Sequence, residues 1–171
     1  MIGAGTVGLA AVMAARLAGA VPIVAVDIVS SRLELAKELG ATFVINGMKE
    51  DVGARLRQIV GDVDHAVETT GLSRVIDKAI RSLGPRGNLS LLGVSADEVD
   101  ISPTSPGPHQ RVFYSIAGDS DPQKFIPFLI RCHKERKFPF DKLIREYPAS
   151  EINTAVKDSL DGSTIKSVIR F

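Results

Sequence analysis

A doubly wound α/β fold, with a mainly parallel sheet and helices on both faces, is predicted by three observations. Apolar, strand-like runs alternate five times with segments of helical periodicity. The strand runs are close to continuously apolar, as in Val21-Pro22-Ile23-Val24-Ala25-Val26, which suits strands buried on both faces. The third observation is a glycine-rich turn, Gly3-Ala4-Gly5-Thr6-Val7-Gly8, with a carboxylate, Asp27, at the end of the next apolar run and 19 residues beyond Gly8. A chain of 171 residues with 44% hydrophobic composition can bury one substantial core, so a single domain over 1–171 is expected.

The glycine turn comes first. Gly3 permits a tight turn out of a strand, Gly5 lets backbone amides approach a pyrophosphate, and Gly8 lets the following helix pack on the sheet. The phosphates would rest on the helix N-terminus, where amides without carbonyl partners and the positive dipole end favour an anion. Such a turn also occurs in methyltransferases and flavoproteins. The carboxylate at this distance narrows the reading to a Rossmann-type dinucleotide fold. Asp27 can accept the two adenosine ribose hydroxyls and repel a 2′-phosphate, which favours NAD over NADP. Only Met1 and Ile2 precede Gly3, so the first strand, central in this fold, is expected to be truncated, leaving ladder groups unpaired on both neighbours.

The remaining elements follow in order. Leu9–Leu17 reads as an Ala-rich helix, Val21–Val26 as a strand, and Ser31–Leu39 as a helix stopped by Gly40. Ser30 or Ser31 is the expected cap, since Ser31-Arg32-Leu33-Glu34 has the form of a capping box. Thr42–Asn46 is the next strand, Asp51–Val60 a helix before Gly61, and His65–Glu68 a strand. Ser73–Leu83 is helical, with Val75, Ile76, Ala79, Ile80 and Leu83 on one face, and Gly84-Pro85-Arg86-Gly87 turns into the strand Asn88–Gly93. Ser95–Gln110, with Pro103, Pro106 and Pro108, reads as a surface loop. Arg111–Ala117 reads as a strand, and Pro122–Arg136 as a helix burying Phe125, Phe128, Leu129 and Cys132. Phe138–Tyr147 is an extended connection, Ser150 caps a helix ending at Leu160, and Ile165–Phe171 is a closing strand.

Composition excludes several classes. A net charge of +1 with interspersed signs offers no nucleic-acid or anionic-membrane surface. The apolar stretch Val7–Val26 is interrupted by Arg16, Gly19 and Pro22 and lacks a preceding basic segment, so neither a membrane span nor a signal peptide is expected, and the location is expected to be cytoplasmic. One cysteine, Cys132, excludes an internal disulfide and a thiolate-rich zinc site built from this chain alone. His65, His109 and His133 are scattered, and Cys132 and His133 point about 100° apart on a helix, a poor chelating pair.

These residues together resemble the cofactor-binding half of zinc-dependent medium-chain alcohol dehydrogenases, and among them the aryl-alcohol (benzyl-alcohol) branch. The resemblance runs through the whole chain: the glycine turn, Asp27-Ile28 with Arg32, Ala36-Lys37-Glu38-Leu39-Gly40-Ala41-Thr42, Glu68-Thr69-Thr70-Gly71, Leu92-Gly93-Val94, Gly118-Asp119-Ser120-Asp121-Pro122-Gln123, and Ile165-Lys166-Ser167-Val168-Ile169-Arg170-Phe171. The first motif is common to many Rossmann proteins; the ordered series is much more specific.

The resemblance implies roles. Thr6 and Val7 would present amides to the pyrophosphate, and Asp27, followed by Ile28, would hold the adenosine ribose with Arg32 beside it. Arg32 also reads as a solvated surface charge. Thr69, Thr70 and Leu72 would line the adenine and ribose side, and Leu92, Gly93 and Val94 the nicotinamide side. Lys166 stands where the family often has an arginine reaching the cofactor from the closing strand, and a lysine cannot repeat that bidentate contact. The family's catalytic zinc is held by a second, N-terminal domain and the segment joining it, which this chain lacks; no zinc is expected on this chain, and the chain alone is expected to be inactive.

The intact enzyme would then transfer hydride between a primary, aromatic alcohol and NAD. Two alternatives stand beside it: the cofactor domain of a zinc-free quinone or enoyl reductase, and a non-catalytic NAD(H)-sensing module. Expected partners are the dinucleotide, the missing catalytic domain and a second copy through an edge strand near 111–117, a segment that reads equally as an internal strand.

Overall fold

The computed structural model of the protein describes residues 1–95, 98–99, 101 and 107–171. Among these, helix α1 (Thr6–Leu17) is followed by β1 (Val24–Asp27), α2 (Ser30–Leu39), β2 (Phe43–Asn46), α3 (Val52–Val60), β3 (Val63–Glu68), α4 (Ser73–Ser82) and β4 (Leu83–Leu91). The order continues with β5 (Arg111–Tyr114), α5 (Pro122–Lys134), β6 (Ile144–Pro148), α6 (Ile152–Leu160) and β7 (Lys166–Arg170).

All strand pairs are parallel. β2 pairs with β1, β3 with β4 and β4 with β5, and Ile2 bridges β1 at Val26 and β3 at Glu68. Met1–Gly3 therefore lies in the middle of the sheet, held by bonds from the Ile2 amide to the Val67 carbonyl (2.8 Å) and from the Gly3 amide to the Val26 carbonyl (2.9 Å). The spatial order β2-β1-Ile2-β3-β4-β5 reverses direction at Ile2, and in doubly wound sheets the crevice at that reversal is where ligands bind. The expected Rossmann-type fold is the observed one.

The nearly continuous apolar strands are explained by the two layers they separate. Ala25 and Ile23 face a core with Leu9, Val12 and Met13 of α1, Leu33, Ala36 and Leu39 of α2, and Cys132 of α5. Val24 and Val26, one residue out of phase, face the opposite layer with Ile45 and Leu56. On that second face α4 buries Ile76, Ala79 and Ile80 against Ala66, Leu89 and Leu91.

Several elements differ from the sequence expectation. Helix α1 starts at Thr6, three residues early, so the last three residues of the glycine motif form its first turn. Strand β1 is shorter than Val21–Val26, with Val21 exposed. The capping box on Ser31 does not form. The α2 cap position is Val29, without a side-chain bond, and the preceding amides are taken by Asp27, while Ser30 accepts from the Asn46 side chain (3.1 Å). The turn 84–87 is absorbed into β4 as a bulge, because Val63 pairs with Leu83 and His65 already pairs with Asn88; Arg86 takes a positive φ of 66° there.

In the second half, β5 ends at Tyr114, and Ala117, Gly118 and Asp119 all adopt positive φ (50°, 63° and 49°), which no strand accommodates. Cys132 is buried, as expected, but Phe125 and Phe128 are 43% and 41% exposed and stack on each other at 6.0 Å; the half of α5 that carries them lies beyond the core contact made by Cys132. The stretch 138–147 is not one extended connection: a 3-10 turn at Phe140–Leu143 leads into β6. Ser150 sits inside a short 3-10 turn rather than capping α6. The closing strand β7 pairs only with β6, in a separate two-stranded sheet. Of the loop Ser95–Gln110, residues 96, 97, 100 and 102–106, including Pro103 and Pro106, lie outside the described residues, whereas Pro108 and His109 form a turn.

Candidate dinucleotide site

The site assembles where Gly3 leaves the centre of the sheet. Gly3 has φ +89°, a conformation that side chains rarely adopt. A Cβ on Gly8 would drive into the Gly3 carbonyl group, coming within 2.8 Å of its carbon, so glycine there is what allows α1 to lie against the turn. Gly5 has nothing within 4 Å of where a Cβ would stand, and this open space lies over the amides of the first turn of α1. Those amides have no intrahelical carbonyl to meet. The three glycines thus differ in what surrounds them, and the open space over Gly5 is the candidate place for a phosphate group.

Asp27 is bound into the same turn. Its Oδ1 accepts from the Ile28 and Val29 amides (both 2.8 Å), and its Oδ2 accepts from the Ala4 amide (2.5 Å). A carboxylate offers about four acceptor directions, so three standing bonds leave Oδ2 one free direction toward a ligand hydroxyl. Asp27 both joins the glycine turn to the start of α2 and lines a cavity of about 630 Å³ that extends between α3 and α4. Gly3, Ile28, Val52, Thr70 and Leu72 also line it. Ile28 and Leu72 are 63% and 46% exposed, apolar groups left uncovered at the carboxyl ends of the strands.

Thr69 locks the turn from the other side. Its amide and hydroxyl bond the Ile2 carbonyl at 3.0 and 2.9 Å, and the hydroxyl also reaches the Gly3 carbonyl at 3.3 Å. The loop after β4 lies beside it: the Leu92 and Gly93 amides both donate to the Glu68 carbonyl (2.8 and 3.1 Å). A Cβ on Gly93 would come within 2.8 Å of the Thr69 carbonyl carbon, so these loops touch backbone to backbone. Val94 is 92% exposed beyond this contact.

The remaining site residues come from greater distances in sequence. The Thr6 hydroxyl donates to the Ile165 carbonyl (2.7 Å), which sets the neighbouring, exposed Lys166 near the start of α1. Val7 is exposed on the same helix turn. Arg32 does not behave as a freely solvated charge: its Nη2 lies 3.0 Å from where a Gly162 Cβ would stand, and its buried Nε has no hydrogen-bond partner among the described residues. Gly3, Gly5, Thr6, Gly8, Asp27, Thr69, Thr70, Leu92 and Gly93 form one continuous cluster; Lys166 adjoins it from the C-terminal segment, whereas Arg32, on α2, lies against Gly162 of that segment.

Sequence reading overlooked Glu68. Its side chain is fully buried, and its carboxylate accepts from the Thr70 amide (2.7 Å), the Thr70 hydroxyl and the Gly71 amide (3.0 Å). The signal available was a glutamate closing an apolar strand, a residue type seldom buried without partners. The left-handed turn Ala117–Asp119 was overlooked as well. It follows β5 at the same edge of the sheet, where the Ser115 amide bonds the Leu91 carbonyl (3.2 Å).

The histidines are spread out. His65 is exposed on β3, and His133 stacks on Phe140 at 4.4 Å with its Nδ1 3.2 Å from the Phe138 carbonyl oxygen and 3.5 Å from an Asp141 oxygen. Among the described residues no group of three or more His, Cys, Asp or Glu side chains could hold a metal ion.

A parallel doubly wound sheet with a glycine turn and a strand-end carboxylate at its reversal point defines the Rossmann class. Residues 6–132 match the family described as zinc-binding dehydrogenase, and the chain belongs to that family. It is 35% identical over 178 residues to a geraniol dehydrogenase of Castellaniella defragrans and 31% identical over 180 residues to alcohol dehydrogenase 1 of Trifolium repens, in each case covering 100% of this chain and 47% of the relative. Among solved structures, an alcohol dehydrogenase zinc-binding domain protein from Burkholderia ambifaria superimposes with a TM-score of 0.95 at 45% identity, over 99% of this chain and 47% of that one. The benzyl alcohol dehydrogenase of Acinetobacter calcoaceticus gives a TM-score of 0.93 at 38% identity, over 99% and 48%. The resemblance to zinc-type medium-chain alcohol dehydrogenases is borne out, and the chain spans about half the length of the relatives it matches. No helix among the described residues is long and apolar enough to cross a membrane.

Proposed function

We propose that this chain is the NAD(H)-binding domain of an alcohol dehydrogenase that transfers hydride between a primary, aromatic alcohol and NAD. The single observation that carries this reading is the junction of Asp27 with the glycine turn: one carboxylate binds the Ala4 amide and lines the adjoining cavity. The α1 amides at Thr6 and Val7 receive the pyrophosphate, with Lys166 adding positive charge beside them. Asp27 takes an adenosine ribose hydroxyl through the free direction on Oδ2 and disfavours a 2′-phosphate by charge. Ile28, Thr70 and Leu72 flank the adenosine, Leu92, Gly93 and Val94 the nicotinamide end, and Arg32 closes the ribose side.

The dinucleotide supplies the hydride acceptor; this chain supplies its seat and the exclusion of water around it. Zinc, which polarises the alcohol oxygen in such chemistry, belongs to the companion catalytic domain. The alcohol pocket has its other wall there too, so the aromatic preference rests on likeness to the benzyl alcohol dehydrogenase. The exposed edge of β5, with Phe113 and Tyr114 at 48% and 66% exposure, is the proposed contact with a second copy.

Calorimetric titration of the chain with NADH and NADPH tests the reading. Binding of NADH in preference to NADPH is expected, with no oxidation of benzyl alcohol by the chain alone. A preference for NADPH would favour the zinc-free reductase alternative, and failure to bind either nucleotide by a folded chain would overturn the proposal.

A further inference from the structure

Glu68 closes β3 at the centre of the site, is 0% exposed, and has no place in the binding scheme above. Every contact of its carboxylate points into the loop that follows it. The Thr70 amide and the Thr70 hydroxyl bond one oxygen, and the Gly71 amide bonds the other (3.0 Å). The same Thr70 hydroxyl accepts from the Leu72 amide (3.2 Å), so the carboxylate reaches Leu72 through one relay. The Glu68 carbonyl meanwhile receives the Leu92 and Gly93 amides.

These bonds fix two loops against each other. Gly71 sits at φ +68°, with the carbonyl carbon of Val94 2.8 Å from where its Cβ would stand, a fit available only to glycine in that backbone shape. Holding Gly71 there keeps the 69–72 loop pressed on the 92–94 loop. A buried carboxylate is costly unless several donors face it, and here three do, all from residues whose position matters to the site.

We infer that Glu68 is a positioning residue for the dinucleotide: its carboxylate pre-sets the Thr70–Leu72 loop, and with it the seam to Leu92–Val94, before any ligand arrives. This rests on the proposed dinucleotide site. The arrangement removes from binding the conformational entropy of ordering the loop, so its loss weakens the complex without removing a direct contact.

The test compares the wild-type chain with Glu68→Gln by NADH titration and thermal unfolding. Glutamine keeps the volume but turns an amide donor toward the Gly71 or Thr70 N–H. We expect the NADH dissociation constant to rise by about tenfold at a temperature where circular dichroism shows the variant fully folded, in keeping with the loss of charge-assisted bonds. A lower Tm with an unchanged dissociation constant would make Glu68 a stability residue only and overturn the inference. Amide hydrogen exchange on the wild type supplies a second measurement that needs no variant. Thr70, Gly71 and Leu72 should be protected already without NADH, and protection that arises only on adding NADH would overturn the pre-set loop. A wild-type chain that binds no NADH would overturn the proposed function itself, a result distinct from wild-type and variant chains binding alike.

Discussion

Asp27 carries two duties through two oxygens. Asparagine at this position retains the acceptor for Ile28 and Val29 but sets an NH₂ against the Ala4 amide. The Asp27→Asn chain should therefore bind NADH about ten- to a hundredfold more weakly, by loss of a charged acceptor worth roughly 1.5–3 kcal/mol, and discriminate less against NADPH in the same titration. Gly8 is constrained by contact alone. Gly8→Ala forces a methyl into the Gly3 carbonyl group, and an overpacking cost of about 1–3 kcal/mol should lower Tm by several degrees and weaken NADH binding together. Gly3, Gly5, Gly8 and Asp27 were legible in the sequence because backbone approach and fixed spacing leave a mark in residue type. Glu68 was not, because a buried carboxylate is recognisable only once its donors are seen.

At the level of elements, hydrophobic period located each helix and most strands, and local chemistry misled at their ends. Ser31 followed by Glu34 has the form of a capping box, yet α2 begins one residue earlier, at Ser30, whose hydroxyl accepts from the Asn46 side chain while Asp27 takes the Ile28 and Val29 amides. Helix α6 and the closing strand β7 were located, but β6 and its pairing with β7 escaped, because what holds this unit together lies between segments. The buried Tyr147 hydroxyl bonds Asp158 (2.7 Å) and Thr164 (2.8 Å). Tyr147→Phe leaves the buried Thr164 hydroxyl short of a partner, and calorimetric unfolding should show a loss of about 1–3 kcal/mol. The turn after α6 carries a pH signature. The Ser163 amide, then its side chain, hold the exposed Asp161 carboxyl below the ordinary value of 3.8. That stabilisation is present above pH 3.8 and is lost as pH falls through the lower folded value, so Asp161→Asn should flatten the acid limb of stability against pH.

For the molecule as a whole, the core on each face of the sheet is read from alternation along strands that look uniformly apolar. Leu89, 0% exposed, belongs to the α4 face, and Leu89→Ala should cost about 2–5 kcal/mol, visible as a Tm drop on the order of 10 °C. Association is a separate property. Sedimentation should find a dimer at micromolar concentration, and Phe113→Asp on the exposed β5 edge should return it to monomer with Tm little changed; a wild-type chain that stays monomeric would remove the edge-pairing proposal. The bond from the Thr6 hydroxyl to the Ile165 carbonyl joins positions 159 residues apart, and this gives the site a history in time. During synthesis at about 5–20 residues per second, the glycine turn would wait roughly 8–30 s for that partner. The glycine turn is made long before Ile165, and the proposed nucleotide seat is completed only when that carbonyl arrives.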